Sequence, residues 1–299
     1  MGKQLFKILA VPLLYLISRL PFPLLYSLST GVKLVVFNVI GYRKHVIMEN
    51  LRRSFPAMNE QEIQNTARQF HTHFCDVIFE TVKLLTITPA EFRRRCVMTD
   101  NAISTYETYF RKNQTVVGVM GHCGNWEWGA IAHQIYFRRL ITGVYHPLSN
   151  KNFDQLMLRL RGRFGGDIVP MQGLYRRLVQ LRQQGISTTI GLIADQTPPP
   201  ESAYWLTFLN QDTPVFNGPE KLARKFNYPV FFMSVTKTGR GRYRLDTHPI
   251  TDDPSAMEEG RISEMHSRLL EQNILEVPHA WLWSHRRWKH KKPAAKTDN

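Results

Sequence analysis

The residues best placed to do chemistry are His122 and Glu127, with four residues between them in the stretch VVGVMGHCGNWEWGAI. A histidine titrates near neutrality and is the usual general base. A carboxylate beside it orients the imidazole and stabilises the imidazolium, so a hydroxyl losing its proton to such a pair becomes a competent nucleophile. At this spacing the histidine falls on a strand-to-helix turn and the glutamate in the first helical turn, with glycines on either side of the histidine. The same helix start offers backbone amides suited to an oxyanion or a phosphate. A structural hydrogen-bonded pair is the plain alternative. No G-x-S-x-G elbow occurs in the chain, which disfavours a serine hydrolase. Cys123 adjoins the histidine in sequence and is therefore poorly aimed to act as its nucleophile.

The elements that must hold this pair follow from periodicity. TVVGVMG reads as a continuously apolar strand of a sheet covered on both faces. Asn125 is placed to cap a helix over Trp126–Tyr136. Upstream, Asn59 and Glu62 form a capping-box signature before a long amphipathic helix that ends near Thr86. His71 and His73, inside that helix, are packing or surface residues rather than ligands. A helix near Ala102–Arg111 precedes the strand. Downstream, strands at Leu140–Tyr145, Ile168–Pro170, Ser187–Ala194, Pro229–Thr236 and Arg242–Pro249 alternate with helices at Phe153–Phe164, Leu174–Gln184, Gly218–Asn227 and Glu258–Asn273. Alternation of this kind predicts an α/β fold, a central mostly parallel or mixed sheet flanked by helices.

The chain has 299 residues, 43% hydrophobic and 21% charged, so it can build a packed core. Its net charge of +15 favours polyanionic partners: nucleic acid, anionic lipid, phosphorylated substrates or acidic proteins. The three cysteines, Cys75, Cys96 and Cys123, are dispersed, which argues against a disulfide framework and a structural zinc site. The oiliest part is N-terminal, with apolar stretches Leu5–Ile17 and Phe22–Ile40 around Arg19-Leu20-Pro21. The second is about as long as a membrane span but contains Lys33. A signal peptide and a buried helical hairpin are alternatives. The preferred reading is an N-terminal membrane-anchoring helix with Arg19 and Lys33 snorkelling and Tyr15, Tyr26 and Tyr42 at the interface. The division expected is 1–42 anchor, 43–100 helical part, 101–290 α/β domain and 291–299 basic disordered tail.

Several blocks resemble those of the bacterial lipid A biosynthesis acyltransferases, the lauroyl and myristoyl transferases. GHCGNWEWGA looks like that family's H-F-x-N-W-E block and ENLRRSFP like its N-L-x-x-x-F-P segment. VYHPLSNKNFDQLMLRLRGRFG is similar to its Y-R-P…N-x-x…R-x-R block, and IADQTP to its P-D-x-D-like turn. FLNQDTPVFNGPEKLARKFNYPV and AWLWSHRRWKHKKP resemble its remaining blocks, so the likeness runs in order from Glu49 to Pro293. It implies transfer of a fatty acyl group from an acyl carrier protein thioester, or acyl-CoA, to a hydroxyl of a lipid A precursor. It implies an anchored enzyme at the cytoplasmic leaflet of the inner membrane. Carried over, His122 is the general base and Glu127 its partner, while Arg161 and Arg163 match R-x-R and Asp195 the first acid of the turn. His146 stands where the family commonly has Arg, Thr197 replaces the second acid, and VPHA replaces P-E-Q. These departures bear on acceptor and chain specificity.

The candidate substrate-contact residues are then Arg161, Arg163, Asp195, Asn125 and Arg286. Near Gly162 and Gly165-Gly166 the arginines can converge on a phosphate, which a guanidinium binds in bidentate fashion; a solvated basic face is the bland reading. Asp195 ends a strand, where α/β sites gather, or simply caps a turn. The Trp-rich basic segment Trp281–Lys292 suits a membrane interface or a phosphorylated headgroup. No metal or bound cofactor and no nucleic acid is expected; anionic lipid is. Alternatives are transfer to another glycolipid or an aminolipid, hydrolysis by an activated water, and a non-catalytic membrane protein binding anionic lipid or nucleic acid.

Overall fold

The computed structural model describes residues 10–293, so the first nine residues of the expected anchor and residues 294–299 of the expected tail lie outside it. Seven strands form one sheet in the order β1-β9-β8-β2-β5-β3-β4. They are β1 Cys96–Met98, β2 Val116–Met120, β3 Ile141–Tyr145, β4 Asp167–Pro170, β5 Thr189–Ile193, β8 Val230–Gly239 and β9 Arg242–Thr251. Every pairing is parallel except the β8–β9 hairpin. The fold is therefore the mixed, mostly parallel α/β sheet expected. A separate hairpin, β6 Tyr204–Phe208 and β7 Gln211–Val215, lies apart from it.

β2 occupies the middle and all five of its residues are buried. Alternation sends Val117 and Val119 to one core and Val116 and Met120 to the other. The N-terminal helices supply both layers. Phe37, Ile47 and Phe70 pack on the first face, and Phe22, Leu25 and Tyr26 on the second. The segment 43–100 is mostly helical, its helices joined by short turns, and β1 joins the sheet edge beside β9. Its main element is α4, Glu60–Lys83, started by a complete capping box between Asn59 and Glu62; such a cap contributes about 1 kcal/mol. His71 stacks on Phe37 with ring centroids 3.9 Å apart, a packing role as expected.

Among the described residues α4 is preceded by α1 Val11–Arg19, α2 Phe22–Lys33 with a π-helical extension Leu34–Val39, and α3 Lys44–Ser54, and is followed by α5 Pro89–Arg95 and α6 Asp100–Arg111. The run Phe22–Val39 is long and apolar enough to cross a membrane. One side of it is nevertheless bonded to protein. Tyr26 Oη donates to Glu80 at 2.9 Å, and Ser29 Oγ to Asp76 at 2.7 Å. Tyr26 is thus buried rather than at an interface. The opposite side leaves Leu24, Leu28, Leu34, Val35, Val39 and Ile40 bare.

The C-terminal segment departs most from expectation. Trp281 and Trp283 are buried, 4.7 Å apart edge to face, in the core rather than at a membrane interface. The β6–β7 hairpin braces them through Phe208, and Trp288 donates to Thr213 at 2.7 Å.

Candidate active site

β2 and β5 run side by side in parallel, with Met120 opposite Ile193, and the pairing continues one bond further as Ala194 N donates to Met120 O at 3.1 Å. Carrying that register forward sets His122 opposite Asp195. His122 Nδ1 lies 2.5 Å from Asp195 Oδ1, and the His122 amide donates to Oδ2 at 2.7 Å. Trp281 Nε1 donates to the same oxygen at 2.8 Å. At Gly121 a Cβ would sit 2.4 Å from the tip of Leu270 and 3.2 Å from Asp195 Oδ2, so a larger residue would crowd both.

Asp195 is completely buried, which by itself disfavours its charge, but the imidazole, the amide and the indole hold the carboxyl far below the usual range. Burial also works against the His122 imidazolium. Asp195's charge and hydrogen bond outweigh it, with a smaller contribution from Glu127, so the His122 pKa is raised. A carboxylate on Nδ1 fixes the proton there and leaves Nε2 as the basic nitrogen. Nε2 has no hydrogen-bond partner among the described residues, and the side chain keeps 15% of its surface open.

The expected His122–Glu127 contact is therefore replaced by His122–Asp195. Glu127 starts α7, Trp126–Phe137, and its carboxylate is held by Arg161, Nε at 2.8 Å and Nη2 at 2.6 Å. Arg161 projects from α8, Lys151–Gly162. Burial opposes its charge, but the Glu127 bonds prevail and raise its pKa. The two charges act on His122 in opposite directions, Glu127 favouring and Arg161 disfavouring the imidazolium.

The other candidates separate. Arg163 does not join Arg161; its Nη1 donates to the carbonyls of Leu84 and Ile87 just past the end of α4. Asn125, expected to touch substrate, is wholly buried, its Oδ1 accepting from Trp128 N at 3.0 Å and its Nδ2 donating to Glu80 at 2.7 Å. It is the helix cap. Arg286 is exposed, whereas Arg287 is 2% exposed and within electrostatic range of Asp195. Burial lowers the Arg287 pKa to about 10, and its Nε and Nη1 lack partners among the described residues. Cys123 is buried, which pushes its thiol pKa well up and keeps it protonated.

Residues that periodicity did not single out brace this turn. Cys123 bridges to Trp281, and Gly124 N donates to Ala280 O at 2.9 Å. His73 Nε2 donates to Gly124 O at 3.0 Å. Thr197 Oγ1 donates to Arg287 O at 2.7 Å. The only sequence signal for this clasp was the density of tryptophan near the C-terminus. Among the described residues no three of His, Cys, Asp and Glu converge as metal ligands.

A histidine with a carboxylate on one ring nitrogen and the other nitrogen open, at the carboxyl ends of adjacent parallel strands, is an arrangement that can activate a hydroxyl. The family model described as Bacterial lipid A biosynthesis acyltransferase matches residues 3–290, nearly the whole chain, and the chain belongs to that family. No individual curated protein matches it. Membership makes acyl transfer in lipid A biosynthesis the supported activity. The family is membrane-associated, in keeping with the one helix among the described residues that is long and apolar enough to cross a membrane.

Proposed function

We propose that the protein moves a fatty acyl chain from an acyl carrier protein thioester, with acyl-CoA as the alternative donor, to a hydroxyl of a lipid A precursor. His122 is the general base and Asp195 its orienting partner. The observation that carries this is the 2.5 Å His122–Asp195 contact with Nε2 open. Nε2 takes the hydroxyl proton as the oxygen attacks the thioester carbonyl. The tetrahedral intermediate collapses, the C–S bond breaks, and the thiolate receives the proton from the imidazolium. Arg161, steadied by Glu127, supplies positive charge for the developing oxyanion or for a phosphate of the acceptor. The start of α7 adds the favourable end of its dipole. No metal or bound cofactor takes part in this scheme.

The anchor reading is sharpened. α2 carries two buried hydrogen bonds to α4 on one side, so lipid cannot surround it; we place it flat in the interface with its apolar side in the acyl layer. The site then faces the cytoplasm at the inner membrane. The +15 charge serves lipid phosphates, anionic lipids and the acidic carrier protein together.

The test is an incubation of purified protein with acyl carrier thioester and lipid A precursor, followed by mass spectrometry. A gain of one acyl chain, absent in His122→Ala and Asp195→Ala, is expected. Unchanged product in His122→Ala overturns the assignment, and free fatty acid without acceptor would make the protein a thioester hydrolase.

A further inference from the structure

Glu80, near the end of α4, has no exposed surface, and among the described residues it has no ion-pair partner. A carboxyl so placed requires hydrogen bonds to its oxygens. It accepts three, each from a different element. Tyr26 Oη in the N-terminal helix α2 reaches Oε1 at 2.9 Å. Tyr243 Oη in β9 and Asn125 Nδ2 both reach Oε2 at 2.7 Å. The carbonyl of the same residue accepts Trp128 Nε1 at 3.0 Å.

Asn125 is where the His122 turn becomes helix. Its Oδ1 accepts the Trp128 amide only while its amide group keeps one orientation, and its other end is held by Glu80. Release of that end frees the side chain to rotate and the cap to open, three residues after His122. None of these atoms reaches His122 Nε2 or its surroundings, so the role is positioning. We infer that Glu80 is a positioning residue for the His122 turn, and that through the Tyr26 hydroxyl it makes the turn's geometry depend on the docked N-terminal helix.

Only the kinetic part of the test rests on the acyl-transfer reading. Glu80→Leu, Glu80→Gln and Tyr26→Phe are compared with wild type in the full detergent-solubilised chain. In Glu80→Leu, hydrogen exchange at Trp128 and Gly129 accelerates by about five- to tenfold. Exchange in the helix Arg261–Glu276 stays at the wild-type rate. The kcat falls by about tenfold, with the KM for the lipid acceptor within about twofold. Glutamine restores both, because its oxygen can accept from Asn125 and Tyr243 while its NH2 donates to Tyr26. Tyr26→Phe, which keeps the ring and loses one hydroxyl, gives an intermediate acceleration at the same amides.

Unchanged exchange at Trp128 in a folded Glu80→Leu, or equal acceleration throughout the chain, overturns the positioning role. Should the leucine variant fail to fold, Glu80→Gln and Tyr26→Phe decide: wild-type exchange in Tyr26→Phe removes the link to the N-terminal helix. If wild type transfers no acyl chain, the functional reading falls while exchange still judges this one.

Discussion

The proton on His122 is governed by a residue 73 positions away, because the register of two neighbouring strands sets them opposite each other. Replacing Asp195 by Asn leaves the shape and loses both the charge and the tautomer control. The expected result is a kcat lower by about 10² to 10⁴. A base must be neutral, so activity in wild type rises with pH through a limb above the ordinary histidine value, since Asp195 raises the His122 pKa. In Asp195→Asn that limb moves to lower pH, as a pH–rate profile on residual activity will show. Arg161→Lys keeps a charge but loses the two-pronged grip on Glu127, with kcat/KM reduced by about tenfold. The turn that carries His122 was legible because an apolar strand, a glycine and a helix cap frame it. Its contact with Asp195 was not, because strand order is a tertiary property: Asp195 ended an apolar strand and matched the first acid of a family turn, and neither mark points to His122. Glu127 was nearer in sequence and turned out to belong to Arg161.

At the scale of elements, the turn after His122 is confined by its surroundings. Gly124 has φ +54, and a Cβ there would lie 2.6 Å from the Val235 carbonyl oxygen in β8. Gly124→Ala is expected to cost about 1–3 kcal/mol in stability, read by denaturant unfolding, and to lower transfer activity of the folded fraction. The major helices and strands were readable because each shows a clean helical or apolar-strand pattern between breakers. The β6–β7 hairpin was missed because its turn, Leu209-Asn210, has positive φ at both residues without a glycine to advertise it. β1 was missed because three residues are too short to show alternation. The C-terminal tryptophans read as an interface because composition cannot say which side of a ring meets protein.

For the whole molecule, burial of neutral histidines sets the acid side of stability. Burial lowers His133 to about 3, His71, His266, His279 and His285 to about 4, and His73 well below its usual value. Each favours the folded state above the unfolded histidine pKa near 6.5, and that contribution is lost as pH falls toward the folded values. His122 and Glu80, whose pKa values are raised, work the other way, but they are two against six. The melting temperature is therefore expected to drop by about 5–10 °C between pH 7.5 and pH 5. The apolar side of α2 predicts membrane affinity just as directly. Leu28→Glu with Val35→Glu should reduce sedimentation with anionic vesicles by about tenfold or more while leaving the melting temperature within about 2 °C, since both side chains are exposed.

The clasp of Trp281, Ala280 and Arg287 on the His122 and Asp195 turns has a consequence for biosynthesis. Translation delivers the apolar helix first, the two polar turns next and the clasp last. A nascent chain thus presents His122 and Asp195 before the indole that donates to their carboxylate has been made. The bonds that fix the His122 and Asp195 turns are therefore complete only once the segment around Trp281 has been made.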